Sequence, residues 1–183
     1  MRFKTLLFLF LIIPFLSCKQ PEARKPITKR SGSFLKTSVL RNKALYAEEE
    51  KTILNIIKQD SLHKYFTSEK GFWYTYIKTN SATVALPKPG DQIEFEYEIK
   101  TLKGRLIYSK EELGIQKYLI DQSNQELISG IREGLKLMKS GETIRFLLPS
   151  HKAFGYYGDQ NKIGTNIPII TIVTLNTITK IKQ

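Results

Sequence analysis

A helical pattern is the first regular feature of the chain and covers residues 35–66. Tyr46, Ile53 and Ile57 fall on one stripe at helical spacing, as in an amphipathic helix. The polar side is assigned to charged residues: Glu48, Glu49, Glu50, Lys51 and Lys58. A single helix of this kind is marginal in water on its own. It is therefore expected to dock on the domain that follows, with pairing to a second copy as the alternative.

After Gly71 the period of the pattern changes to two. Residues 72–77 are aromatic and rich in strand-forming side chains. Residues 93–99 alternate apolar and acidic side chains, as in a strand with one face in water. Further strands are expected at 105–108, 115–120, 142–148 and 169–181.

One short helix is predicted between these strands. Ser123 and Glu126 have the spacing of a capping box, and Gly141 is expected to end the helix. Its apolar stripe would comprise Ile128, Ile131, Leu135 and Met138. Several antiparallel strands around one short helix predict an α+β domain.

The N-terminal residues indicate export. Arg2 and Lys4 precede an apolar run at residues 6–16, which is too short to span a bilayer comfortably and is typical of a signal peptide. The stretch 15–18 resembles a bacterial lipobox, so residues 1–17 are expected to be removed and Cys18 to be lipidated. A plain signal peptide with an incidental cysteine, or an uncleaved anchor, is the alternative.

Residues 18–34 are expected to form a lipidated cysteine and a linker, because they contain two prolines and few apolar side chains. The whole chain carries 29 Lys and Arg against 17 Asp and Glu, a net charge of +12. Such a balance is compatible with nucleic acid or an anionic membrane. No basic helix with base-reading side chains and no basic-aromatic repeat occurs, so no nucleic-acid partner is expected.

Most enzyme constellations are absent from the sequence. His63 and His151 have no partner at metal-ligand spacing, and there is neither a phosphate-binding loop nor a nucleophile elbow. Gly130 and Gly134 form a GxxxG pattern, which on a soluble helix indicates close packing. Any catalysis is therefore expected to proceed without a metal, a cofactor or acid-base chemistry.

Three segments of the second half of the chain carry recognisable motifs: residues 126–138 with Gly141 and Glu142, residues 152–155, and Ile167-Pro168. The first resembles the central helix and next strand of the FKBP-type prolyl isomerases, and the second resembles the AYG turn of that family. Ile167-Pro168 follows in family order and at family spacing. The resemblance implies an isomerase domain at residues 71–183, with an FKBP-like antiparallel sheet wrapped around one short helix and preceded by an amphipathic helix. It implies action on proline-containing unfolded or exported polypeptides.

The resemblance also implies a site. Four residues would act on the reacting bond: Tyr97, Tyr108, Phe154 and Ile167, the last through its backbone N–H. Others would line the proline pocket: Ile107, Tyr118, Leu127, Ile128, Ile131 and Leu175. Ile131 would be the pocket floor, and Thr174 is the alternative to Leu175. Tyr108 stands where the family usually has Asp, Ile131 where it often has Trp, and Phe154 where it usually has Tyr.

A narrower likeness concerns residues 71–74, 156–159 and 161–164, which resemble the isomerase lipoproteins associated with gliding motility in Bacteroidetes. The expected location is a bacterial cell envelope, lipid-anchored and facing the periplasm. Tyr108 and Phe154 favour an alternative, an FKBP-like chaperone or assembly module of a membrane machine with little isomerase activity.

Overall fold

The computed structural model describes residues 32–82, 85–122 and 126–180, with side chains from Leu35 onward. The chain divides into two units, Met1–Lys36 and Thr37–Gln183, and the elements below belong to the second unit apart from the first residues of its leading helix. The expected signal peptide, Cys18 and all but the end of the expected linker lie outside the described residues. No helix within the described ranges is long and apolar enough to cross a membrane.

The leading helix, α1, spans Gly32–Gln59 and ends before the predicted boundary at residue 66. Asp60 causes the stop, because its carboxylate accepts hydrogen bonds from the backbone N–H of Leu62 and from the His63 ring. A side chain that bonds its own following backbone favours a turn over another helical residue. The chain then enters a strand at Phe66.

Helix α1 docks on the sheet through its C-terminal half. For that half, the prediction that the helix docks on the following domain, and does not pair with a second copy, is confirmed. Ile53 is fully buried and packs with Trp73 and Leu147. Glu49, assigned by the sequence to the polar side, is only 6% exposed. That assignment was wrong: Glu49 lies one turn before Ile53 on the same stripe, and its carboxylate accepts a hydrogen bond from the backbone N–H of Ser150. Residues nearer the start of α1, such as Val39 and Leu40, are exposed.

The strands within the described residues form one antiparallel sheet. They are β1 (Phe66–Ser68), β2 (Phe72–Lys78), β3 (Gln92–Thr101), β4 (Leu106–Tyr108), β5 (Gln116–Leu119), β6 (Thr143–Leu148) and β7 (Ile169–Thr179). Their order is β1-β2-β6-β7-β3-β4, and β5 also pairs with β3. Every strand that the sequence predicts is present, and β1 is an addition.

The two faces of the sheet carry two apolar clusters. Phe72, Phe95 and Phe146 belong to the larger core, whereas the alternate positions Trp73 and Leu147 face α1. This alternation follows from the two-residue period of a strand. The acidic positions of β3 lie outside the core and form ion pairs: Glu94 with Lys117, Glu96 with Lys110, and Glu98 with Lys100.

A short helix packs on the larger core. After a one-turn helix α2 (Lys110–Leu113), helix α3 covers Ser129–Leu135 and buries Ile131 and Leu135. The predicted capping box was wrong for the start of this helix, and its Ser123 lies outside the described residues. Glu126 lies in a turn, and the cap position is Ile128, whose side chain packs on the core. The predicted end was wrong as well, because α3 ends at Leu135 and Gly141 lies in a separate turn at residues 140–141.

The two glycines of α3 set its distance from β6. A Cβ at Gly134 would lie 2.7 Å from the Phe146 ring, and one at Gly130 would lie 2.7 Å from the Leu148 side chain. A larger residue at either position would push the helix off the sheet. The structure therefore confirms that the GxxxG pattern reflects close packing.

Candidate functional site

The predicted site residues come from separate elements and gather at one apolar cluster. All of them except Ile167 belong to the larger core or pack against it: Tyr97, Ile107, Tyr108, Tyr118, Leu127, Ile128, Ile131, Phe154 and Leu175. They are contributed by strands β3, β4, β5 and β7, by α3 and its entry, and by the turn that follows the 3-10 helix Ser150–Lys152.

Ile131 and Leu175 differ from the others because both are 0% exposed. Neither side chain has accessible surface in this conformation. The roles of Ile131 as pocket floor and of Leu175 as far wall stay predictions. Thr174, the alternative to Leu175, bonds Thr143 and Lys110 through its hydroxyl and is not part of this cluster.

Two grooves open over this cluster. The first, here called the β4 groove, has a volume of about 460 Å³ and contains Ile107 and Ile167, together with Arg105, Leu106 and Lys162. The second, here called the Tyr97 groove, has a volume of about 390 Å³ and contains Tyr97, Tyr118 and Leu127. Half of the predicted site residues thus line one groove or the other.

Two polar groups at these grooves are unpaired in the part of the chain that the structure describes. The hydroxyl of Tyr97 has no hydrogen-bond partner there, and neither has the backbone N–H of Ile167, whose residue is 38% exposed. Partial burial, with the neighbouring Tyr108, raises the pKa of Tyr97 above its ordinary value. Tyr97 therefore remains a protonated donor at neutral pH.

Tyr108 makes a contact that the sequence does not reveal. Its hydroxyl donates to Oδ2 of Asp159 at 2.5 Å. Partial burial alone would raise the pKa of Asp159, but the bonds from Tyr108 and from the backbone N–H groups of Ile163 and Asn161 outweigh it. The pKa of Asp159 consequently lies below its ordinary value, so a carboxylate is held against β4 at neutral pH.

Lys162 connects the loop that contains Asp159, residues 155–166, to β4 and α2. Its ammonium lies 4.5 Å from the centre of the Tyr108 ring, donates to the carbonyl of Ile107 and forms a short ion pair with Glu112 of α2. A cation over an aromatic face is attracted by the ring quadrupole. Both Lys162 and Asp159 were missed at the sequence level.

The loop at residues 155–166 also has internal restraints. Oδ1 of Asp159 accepts from the backbone N–H groups of Asn161 and Ile163, and the carbonyl of Gly155 accepts from Asn166 N–H at 2.8 Å. Gly158 has a φ of +66°, and a Cβ there would lie 2.2 Å from the carbonyl oxygen of Ile163. Only glycine fits, so the loop is preformed.

The site offers no group of metal ligands. No cluster of three or more His, Cys, Asp or Glu side chains suited to a metal exists among the described residues. His63 bonds Asp60 at the end of α1. His151 packs on the Tyr46 ring, and its partial burial lowers the pKa of its imidazole. Within the described residues, the arrangement provides apolar surface, two unpaired hydrogen-bond donors and one fixed carboxylate. The polar residues Gln116, Lys117 and Glu126 also line the Tyr97 groove.

Comparison with known proteins identifies the family of the chain and two similar folds. A family model described as FKBP-type peptidyl-prolyl cis-trans isomerase matches residues 84–176. A peptidyl-prolyl cis-trans isomerase from Pseudomonas syringae pv. tomato is similar at 19% identity, with a TM-score of 0.58, over 75% of this chain and 96% of that one. FkpA from Escherichia coli is similar at 20% identity, with a TM-score of 0.59, over 97% of this chain and 82% of that one. These two likenesses concern the fold alone, and no curated protein sequence matches the chain.

Proposed function

Because the chain belongs to the FKBP-type peptidyl-prolyl cis-trans isomerases, we propose that it rotates X–Pro bonds of exported proteins from the surface of a bacterial envelope membrane. The family acts on proline-containing polypeptides. The observation that carries the proposal is the unpaired Tyr97 hydroxyl at an apolar cluster, together with the unpaired Ile167 N–H in the β4 groove. These donors would bind the carbonyl groups of the substrate backbone.

The physical basis of the reaction suits such a surface. Amide resonance gives X–Pro rotation a barrier of about 18–20 kcal/mol, so the uncatalysed event takes tens of seconds or more. The twisted transition state has less charge separation than the planar amide. An apolar site therefore favours the twisted form without any proton transfer. A preference of about 5 kcal/mol corresponds to an acceleration of roughly 10⁴-fold.

The test compares turnover of Pro-containing peptides, varied at the residue before proline, by the full chain and by Leu127→Ala. Leu127 lines the Tyr97 groove, so its truncation is expected to lower kcat/KM. Leu62→Ala is the control, because Leu62 is exposed in the turn after α1. Equal activity of the two variants would contradict the proposed site.

Membrane attachment through Cys18 is the second part of the proposal. Its support is the sequence: a charged start, an apolar run and then the one cysteine of the chain. Expression of the full chain with a labelled fatty acid should give a labelled, membrane-bound protein, and Cys18→Ser should give an unlabelled one. Absence of label from the wild type, in a host that processes lipoproteins, would contradict the anchor.

A chaperone or assembly module is the alternative, and Phe154 favours it because it lacks the hydroxyl of the family's usual tyrosine. The resemblance to gliding-motility lipoproteins would make the gliding-motility machine of the membrane the target of this assembly module. Suppression of aggregation of an unfolded, proline-free protein, without peptide turnover, would support this alternative. Peptide turnover that Leu127→Ala reduces would reject it.

A further inference from the structure

Helix α1 contacts the segment that leads into the site. Oε2 of Glu49 accepts a hydrogen bond of 2.8 Å from the backbone N–H of Ser150, across 101 residues of sequence, in a buried environment. One turn earlier, the Tyr46 ring lies 4.6 Å from the His151 ring. Ser150 begins the 3-10 helix that precedes Phe154. The helix outside the matched family region therefore holds the first residue of this segment.

From Ser150 a chain of backbone hydrogen bonds continues to the site. The carbonyl of Ser150 accepts from Gly155 N–H at 2.9 Å, so it closes the turn that contains Phe154. The carbonyl of Gly155 accepts in turn from Asn166 N–H at 2.8 Å. Asn166 directly precedes Ile167, whose free N–H is a proposed substrate donor. Each bond fixes the residue that makes the next one.

A carboxylate is a costly residue for docking alone. Burial of a charged group is unfavourable unless it is fully paired, and Oε1 of Glu49 has no partner among the described residues. An apolar side chain serves docking one turn later, at Ile53. The acceptor at position 49 thus contributes something that apolar packing cannot supply, namely the placement of Ser150 N–H.

We propose that Glu49 is a positioning residue for the isomerase site, acting through Ser150 on Phe154 and Ile167. The inference rests on the proposed function for the identity of the site. It makes one hydrogen bond from α1 a determinant of activity, although α1 lines neither groove.

The experiment measures kcat and KM for the full chain in detergent and for three variants. Glu49→Ala removes the acceptor, and kcat/KM is expected to fall by roughly tenfold, since a misplacement of about 1 Å in a site can cost about 10²-fold. Glu49→Gln keeps an acceptor oxygen and should restore activity close to wild type. Ile53→Ala is the stability control: it removes apolar packing against Trp73 and Leu147 but keeps both Glu49 and Ser150, so the folded fraction should keep its kcat/KM.

Amide hydrogen exchange provides a readout that does not need activity. In Glu49→Ala the amides of Gly155 and Asn166 should exchange faster, whereas in Ile53→Ala their rates relative to the rest of the core should be unchanged. If the wild type shows no turnover, the proposed function fails and exchange alone decides the positioning role. Unchanged exchange in Glu49→Ala, or equal effects of Glu49→Ala and Ile53→Ala on kcat/KM, would overturn the inference.

Discussion

The Tyr108 hydroxyl and the Asp159 carboxylate are joined by a 2.5 Å hydrogen bond across 51 residues of sequence. Tyr108 stands where the resembling family usually has Asp. The carboxylate is therefore not lost from this region of the fold, because the loop at 155–166 supplies one. This weakens the argument that Tyr108 marks an inactive module, and it links the loop conformation to the site.

Removal of either partner should lower activity. Tyr108→Phe keeps the ring under Lys162 and removes only the donor, while Asp159→Asn removes the charge that strengthens the bond. Each is expected to lower kcat/KM by roughly tenfold, the equivalent of one hydrogen bond of about 1.4 kcal/mol. The double variant should lose less than the sum of the two single losses, because Tyr108 and Asp159 share one hydrogen bond. Additive losses in the double-mutant cycle would contradict this account.

The pKa of Asp159 gives the same pair a pH dependence. Because that pKa lies below its ordinary value of 3.8 in the folded protein, the folded state holds fewer protons than the unfolded state there. The contribution to stability is therefore complete above 3.8 and is lost as the pH falls through the folded pKa. Unfolding by denaturant at pH 7 and at pH 3 should show a smaller difference between wild type and Asp159→Asn at pH 3.

Gly158→Ala should disturb the loop more than any other glycine substitution with a similar φ. Its Cβ would lie 2.2 Å from the Ile163 carbonyl oxygen, so the backbone must move and carry Asp159 with it. Gly104→Ala is the matched control: it has a φ of +83° and no atom within 4 Å of the new Cβ. In this control the free energy of unfolding should fall by only about 1–2 kcal/mol, because a residue with a side chain is strained in the left-handed region. Its kcat/KM should be unchanged. Similar kcat/KM values for the two variants would contradict a preformed loop.

Asp60→Asn should loosen the junction between α1 and the sheet. The Asp60 carboxylate, 19% exposed, accepts from His63 and Tyr65 and pairs with Arg145 of β6. Loss of these bonds is expected to lower the free energy of unfolding by about 1–3 kcal/mol near neutral pH. The bond from His63, which outweighs partial burial, holds the pKa of Asp60 below 3.8, so the difference should shrink as the pH falls below that value. Glu69→Gln, at an exposed turn, is the control, and a difference that did not change with pH would contradict the assignment.

The strands could be predicted from the sequence because their side chains obey a local rule. A sheet with one face on a core and one in water forces alternation, which residues 93–99 display directly. The bounds of the helices were less accessible. The capping pattern at Ser123 and Glu126 is a local signal, and the packing of Leu127 and Ile128 on the core overrides it.

The candidate site was predicted from the order and spacing of family motifs. All of its predicted residues except Ile167 lie at one apolar cluster, while their roles stay predictions. Glu49 was assigned to the polar side of α1 because it is charged. Its spacing from Tyr46 and Ile53, however, places it on their stripe. Its partner Ser150, like the Tyr108 partner Asp159, lies far away in sequence, and no local pattern encodes such a contact.

The donors and the apolar surface around Tyr97 are proposed to catalyse X–Pro rotation. The test measures turnover of an X–Pro peptide by the full chain, by Tyr97→Phe and by the control Tyr76→Phe on β2, which β6 and β7 separate from β3 in the sheet. We expect turnover by the wild type, a loss of roughly two- to tenfold in Tyr97→Phe for one hydrogen bond, and an unchanged rate in Tyr76→Phe. No turnover by a folded wild type, or equal rates in all three proteins, would contradict this proposal.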